Sequence, residues 1–275
     1  MVKNRKIPGK TSRGKPNQIN KNSTRGSKKE SGKPSQSRLI RLNRYLANTG
    51  LCSRREADVF IGQGLVTVNG KKITEMGTKV SDTDIIKFKG KVLKTEKKIY
   101  ILLNKPKNTI TTTDDPQGRK TVLSLIGDRL PERVYPVGRL DRMTTGVLLL
   151  TNDGELTDKL THPSFNKKKI YQVDLDQPLT KSDQLIIATG VQLEDGFIKA
   201  DTIDLPDPEN KKMVGIELHS GKNRIVRRLF EHLGYRVMKL DRVYFAGLTK
   251  KGLSRGRWRY LSPMEISILK RGSYK

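Results

Sequence analysis

The chain has 275 residues, with 56 lysines and arginines against 28 aspartates and glutamates, a formal net charge of +28. That imbalance calls for a polyanionic partner, nucleic acid first and an anionic membrane surface only as the weaker alternative. One cysteine, Cys52, excludes a disulfide framework or a cysteine-rich zinc site and makes a reducing, cytoplasmic setting the expectation. The apolar runs, such as Val147 to Leu150, fall far short of the roughly 18 residues of a membrane helix, so no membrane partner is expected. The basic N-terminus also lacks the apolar segment of a secretory signal.

Residues 1–37 are Gly, Ser, Pro, Asn and basic residues with almost no apolar content. They read as a disordered basic tail whose phosphate affinity would be salt-sensitive and would carry little sequence information. Residues 38–94 have a different texture. Ile40, Leu42, Tyr45 and Leu46 recur at helical spacing, with Arg38, Arg41 and Arg44 on a neighbouring face. Ser53-Arg54-Arg55-Glu56 is a capping-box pattern that opens a second helix through Ala57, Val59, Phe60 and Ile61 to a stop at Gly64. Leu65 to Ile73 alternates around Asn69-Gly70, the signal of a hairpin with a type I′ turn, and a short strand from Asp84 to Phe88 closes the unit near Leu93.

Lys94 to Lys98 lacks apolar anchors and reads as a linker to a larger domain at 99–275. Strands are expected at Ile99–Leu103, Tyr171–Leu175 and Val214–Leu218, with helices near Glu155–Leu160 and Ile225–Leu233. This irregular alternation predicts an α+β fold rather than a doubly wound one.

The three histidines, His162, His219 and His232, have no metal spacing, and no metal site is expected. No phosphate-cradling motif or dinucleotide fingerprint is present. What remains is Gly138-Arg139-Leu140-Asp141-Arg142-Met143-Thr144-Thr145-Gly146, which runs into Val147 to Leu150. A carboxylate between two arginines, just ahead of an apolar strand, sits at the edge of a core. Taken alone, Asp141 reads as a turn or salt-bridge aspartate sooner than as a catalyst.

Two family resemblances extend this reading. Arg41-Leu42-Asn43-Arg44-Tyr45-Leu46, Leu51-Cys52-Ser53-Arg54-Arg55-Glu56-Ala57 and Gly64-Leu65-Val66-Thr67-Val68-Asn69-Gly70 resemble an S4 RNA-binding domain, built as helix, helix and hairpin. The resemblance implies Arg41, Arg44, Arg54 and Arg55 as phosphate contacts, which position a protein rather than read bases. Gly138-Arg139-Leu140-Asp141, with Thr145-Gly146 and Asn152-Asp153-Gly154-Glu155-Leu156, resembles the signature of pseudouridine synthases of the RsuA and RluB type. Lys169-Ile170-Tyr171 and Gly221-Lys222-Asn223-Arg224-Ile225-Val226-Arg227-Arg228 follow in the family's order. His162-Pro163-Ser164 and Gly256-Arg257-Trp258 look closest to the RluB, large-subunit group.

The resemblance implies a catalytic domain with a mixed, mainly antiparallel sheet flanked by helices, and isomerisation of a uridine, most specifically in 23S ribosomal RNA. A small-subunit or dual-target synthase, or a noncatalytic S4-containing assembly factor, is the alternative. The isomerisation breaks the bond from the ribose carbon to N1, turns the uracil and rejoins it through C5, so no cofactor is implied. Asp141 is the implied essential carboxylate, whether it attacks the sugar carbon, attacks C6 or deprotonates the 2′ position. Arg227 is implied as its ion-pair partner and Tyr171 as the residue packing on the uracil. Arg139 is implied to fill the stack vacated by an extruded base, Arg224 and Arg228 to meet RNA, and the protein to act as a monomer.

Overall fold

A computed structural model describes residues 39–272. The predicted basic tail, residues 1–37, lies outside the described residues, as do Arg38 and residues 273–275. The first part of the chain runs β1 (Ile40–Arg41), α1 (Leu42–Asn48), α2 (Arg54–Gly62), β2 (Val66–Val68), β3 (Lys71–Ile73), β4 (Lys79–Val80), β5 (Ile86–Phe88) and β6 (Lys91–Val92). The predicted first helix therefore starts two residues late. Ile40 and Arg41 pair antiparallel with Val80 and Lys79, and the Leu42 N–H reaches the Thr78 carbonyl at 2.8 Å. That long-range pairing takes the backbone from the helix despite the helical spacing of the side chains.

The α2 capping box forms: the Glu56 N–H donates to Ser53 Oγ at 3.2 Å, and the Ser53 N–H donates to Glu56 Oε2 at 2.6 Å. Asn69 and Gly70 turn the β2–β3 hairpin with φ of 49° and 83°, the two positive values of a type I′ turn. Leu42, Leu46, Ala57, Ile61, Val66 and Ile86 make a separate small core, with Cys52 buried beside them. Burial, with the nearby Glu56 carboxylate adding to it, pushes the Cys52 thiol up to about 11, which marks it as an inert core residue. The expected linker is hydrogen-bonded to both of the parts it joins. The Glu96 N–H donates to the Asn48 carbonyl at 3.2 Å, and Asn152 Nδ2 donates to the Lys97 carbonyl at 2.9 Å.

The second part continues with β7 (Tyr100–Lys105), β8 (Tyr135–Pro136), β9 (Thr145–Thr151), α3 (Gly154–Thr161), β10 (Lys169–Leu175), α4 (Lys181–Thr189), β11 (Val191–Leu193) and β12 (Gly196–Ile198). It ends with β13 (Thr202–Asp204), β14 (Met213–Leu218), α5 (Ile225–His232), β15 (Val237–Phe245), β16 (Leu248–Thr249), β17 (Trp258–Tyr260) and α6 (Pro263–Arg271). Among the described residues a nine-stranded sheet has the order β13-β14-β10-β15-β9-β7-β17, with β16 added to β15 and β8 to β9. Its pairings are antiparallel except β15 with β9, so the sheet is mixed and mainly antiparallel.

β9 is buried along its whole length, which is why it reads as an unbroken Thr-Gly-Val-Leu-Leu-Leu-Thr run rather than an alternating one. Gly146 permits the parallel contact with β15. Its φ is +107°, and a Cβ there would lie 2.1 Å from the Arg242 carbonyl oxygen. The β9–β15 junction closes the sheet directly beside the loop that carries Asp141.

Candidate active site

Asp141 sits in the loop between β8 and β9, closed by a turn in which the Thr144 N–H reaches the Asp141 carbonyl at 3.0 Å. The loop is fastened from beneath by Lys105, the last residue of β7, which is fully buried. Its ammonium donates to the carbonyls of Thr144 at 2.8 Å, Asp141 at 3.0 Å and Arg142 at 3.3 Å. Burial pushes Lys105 down to about 8, and the Asp141 charge partly opposes that shift. Thr111 holds the neighbouring residue, its hydroxyl donating to the Leu140 carbonyl at 2.8 Å. The polar segment at residues 110–119 thus contributes a fixed contact to the Asp141 segment.

The Asp141 carboxylate opens on a cleft of about 170 Å³ that Arg139, Lys169, Tyr171, Arg224 and Arg242 also line. Tyr171 and Arg242 are direct cross-strand partners on β10 and β15. Arg242 is buried at 3% exposure. Its Nε donates to the Val147 carbonyl at 2.8 Å, its guanidinium lies over the Phe245 ring at 4.6 Å, and it is hydrogen-bonded to the Tyr171 side chain. Burial lowers the proton affinity of Arg242, and Tyr171 works against that loss. Lys169 closes the same wall, its ammonium donating to the His219 carbonyl at 2.9 Å. Burial, reinforced by the Arg242 charge, pushes Lys169 down to about 8. With Lys222, which also lines the cleft, five cationic side chains therefore surround one carboxylate and one phenol, a setting suited to holding a polyanion with a carboxylate at its reacting carbon.

One sequence expectation needs correction. Arg227 is buried as expected, yet its Nη1 donates to the Val237 carbonyl at 2.9 Å, and it makes no ion pair within 4 Å of Asp141 among the described residues. The near partner is Arg224, whose Nη1 is 3.8 Å from Asp141 Oδ2. The cause is the backbone: Arg224 is left-handed, with φ of 47°, immediately before α5, and this places it beside the carboxylate while Arg227 lies a turn further on. Arg227 still senses the Asp141 charge, which opposes the lowering of its proton affinity by burial and by Arg224.

Arg228 was expected to meet RNA. Both of its terminal nitrogens donate to the Asp195 carboxylate, which raises its proton affinity. Arg139 is exposed at the cleft, and Arg41 and Arg55 are exposed in the first part of the chain. Arg44 and Arg54 lie 3.4 and 3.9 Å from Asp158 on α3. His162 and His219 are engaged by Ser164 and Asp201, and no group of three or more potential metal ligands gathers among the described residues.

Lys105 and Arg242 are the residues that sequence reasoning missed. Lys105 ends an apolar strand without any local sign that it is buried. Arg242 falls in phase with buried Leu240 on β15, a period-two cue that its charge obscures.

An S4 platform followed by a mixed-sheet domain with a carboxylate in a cationic cleft defines an RNA-modifying enzyme, and comparison with known proteins supplies the kind. The RNA pseudouridylate synthase model matches residues 99–232, and the S4 domain model matches residues 40–86. The chain is 39% identical over 235 residues to ribosomal large subunit pseudouridine synthase B of Bacillus subtilis, covering 84% of this chain and 96% of that protein. It is 35% identical over 230 residues to the dual-specificity RNA pseudouridine synthase RluF of Escherichia coli, covering 82% of this chain and 77% of that one. A crystal structure of a pseudouridylate synthase superposes with a TM-score of 0.61 at 28% identity, covering 84% of this chain and 99% of that one. The chain belongs to the RNA pseudouridylate synthase family.

Proposed function

We propose that the protein isomerises a specific uridine of 23S ribosomal RNA to pseudouridine, in the cytoplasm and as a monomer. The observation that carries the reading is the Asp141 carboxylate at the mouth of a cation-lined cleft, on a loop fixed by Lys105 and facing Tyr171. Asp141 is the essential carboxylate. Tyr171 packs on the uracil. Arg224 pairs with Asp141 at the rim, and Arg227 supports the carboxylate from its buried position behind it. Arg139, exposed beside Asp141, fills the gap left by the extruded base. Arg41, Arg44, Arg54 and Arg55 hold phosphates.

The large-subunit name of the Bacillus subtilis relative supports the 23S target. Family membership favours a working enzyme over the noncatalytic assembly factor. The dual-specificity name of the Escherichia coli relative favours a second reading, in which one further RNA is also modified. Pseudouridine mapping of total RNA from cells lacking the protein, complemented with wild type or Asp141→Asn, tests both. One 23S uridine should lose its modification without the protein and regain it only with wild type. Loss at a second RNA establishes the dual reading, and no loss anywhere contradicts the proposal.

A further inference from the structure

A second groove lies on the other side of α3 from the catalytic cleft. Leu160 and Thr161, at the end of the helix, line the cleft, while Glu155, Asp158 and Lys159 line the groove. The eight-residue helix is only ~12 Å long, so the two sites share a wall that a polynucleotide crosses in a short step. The opposite wall of the groove comes from the S4 part, including Arg41, Arg44, Arg54 and Lys79.

The groove is cationic, with five basic side chains against Glu155 and Asp158. Asp158 draws in both Arg44, whose buried Nη2 lies 3.4 Å from its Oδ2, and Arg54 at 3.9 Å. Phe165, in the short 3-10 turn after α3, also lines the groove and keeps 48% of its surface exposed. The Lys167 ammonium lies 5.4 Å from its ring centroid. Phe165 meets the His162 ring edge-on at 6.1 Å and leaves about half its surface open; a ring set among cations along a groove is what a single strand needs, a stacking surface beside phosphate donors.

We propose that this groove is a binding site for an unpaired segment of the substrate RNA flanking the target uridine, with one base stacked on Phe165 and its phosphates held by the S4 arginines and Lys159. The occupant is RNA rather than an acidic protein segment because the aromatic surface matches the π-face of a base, whereas an acidic peptide would use the cations alone. The inference rests on the synthase reading only for the identity of the polymer.

Binding of a fluorescein-labelled RNA stem-loop, with and without an oligoadenosine extension on either strand, tests it. Adenosine cannot be isomerised, so this readout is independent of catalysis. Phe165→Ala should weaken binding of an extended RNA about tenfold and leave the bare stem-loop unchanged, with an unaltered melting temperature. Phe165→Trp should restore affinity and show fluorescence quenching by the extended RNA. Equal affinity of wild type and Phe165→Ala for the extended RNAs, or equal losses on both kinds of RNA, overturns the proposal. Failure of the synthase reading would show separately, as absence of pseudouridine with wild-type protein while the Phe165 effect on binding persists.

Discussion

Arg242 should act through Tyr171, and Arg242→Met isolates that link. The substitution removes a charged donor from the Val147 carbonyl, now bonded at 2.8 Å, and the hydrogen bond to Tyr171. A buried carbonyl left without its donor costs ~1–3 kcal/mol. Relief from burying a guanidinium charge offsets part of that. A drop of a few degrees in melting temperature is therefore expected, since 1 kcal/mol corresponds to ~2–4 °C in a domain of this size class. The catalytic loss should be far larger. Tyr171 is half-buried and held by its cross-strand neighbour, and misplacing a reacting group by about 1 Å costs ~10²-fold in rate.

Single-turnover pseudouridine formation at saturating RNA, corrected for folded fraction, measures the effect, and a cycle with Tyr171→Phe assigns its route. If Arg242 acts by holding Tyr171, the double variant should be no slower than Tyr171→Phe alone. Arg242→Lys should recover little, because the ammonium cannot reproduce the guanidinium fork. A rate within about threefold of wild type for Arg242→Met, or fully additive losses in the cycle, would refute the reasoning.

Three further outcomes follow from particular contacts. Arg224→Gln should slow single-turnover catalysis only about fivefold, because its 3.8 Å pair with Asp141 is solvent-accessible and such a pair is worth ~1 kcal/mol in water; the deficit should shrink as salt is raised. Gly146→Ala should cost ~3 kcal/mol of unfolding free energy, read as a lower urea midpoint at unchanged slope, because its Cβ would fall 2.1 Å from the Arg242 carbonyl. The Arg259 guanidinium, helped by the Ser262 N–H at the start of α6, holds Glu265 at about 2 against an ordinary 4.5. A depressed carboxyl stabilises the fold above its unfolded value and loses that contribution as pH falls toward its folded value. The melting-temperature deficit of Glu265→Gln should therefore be full at neutral pH and narrow between pH 4.5 and 2.

What the sequence disclosed depended on how local the governing contact is. The α2 capping box, the Asn69-Gly70 turn and the buried β9 strand are each decided within a few residues, and each forms where the pattern places it. The start of α1 was misread because Ile40 and Arg41 pair with residues 79 and 80, which no window around them contains. Asp141 was located by motif, but its supports were not. Lys105 is a charged residue that local rules send to the surface, and its burial depends on four carbonyls, three of them in the loop after residue 140. Helical spacing in α5 could not choose between Arg224 and Arg227, because the choice rests on one left-handed residue at the helix entrance.

The central claim is that one carboxylate, Asp141, turns an RNA-gripping cation cluster into an isomerase. Release of tritium from RNA labelled at C5 of uridine measures this directly, since the hydrogen must leave when the sugar rejoins at C5. With large-subunit RNA as substrate, wild type should release one equivalent per RNA, and Asp141→Asn should release none while binding the RNA with unchanged affinity. Tritium release by Asp141→Asn at the wild-type rate would contradict the account.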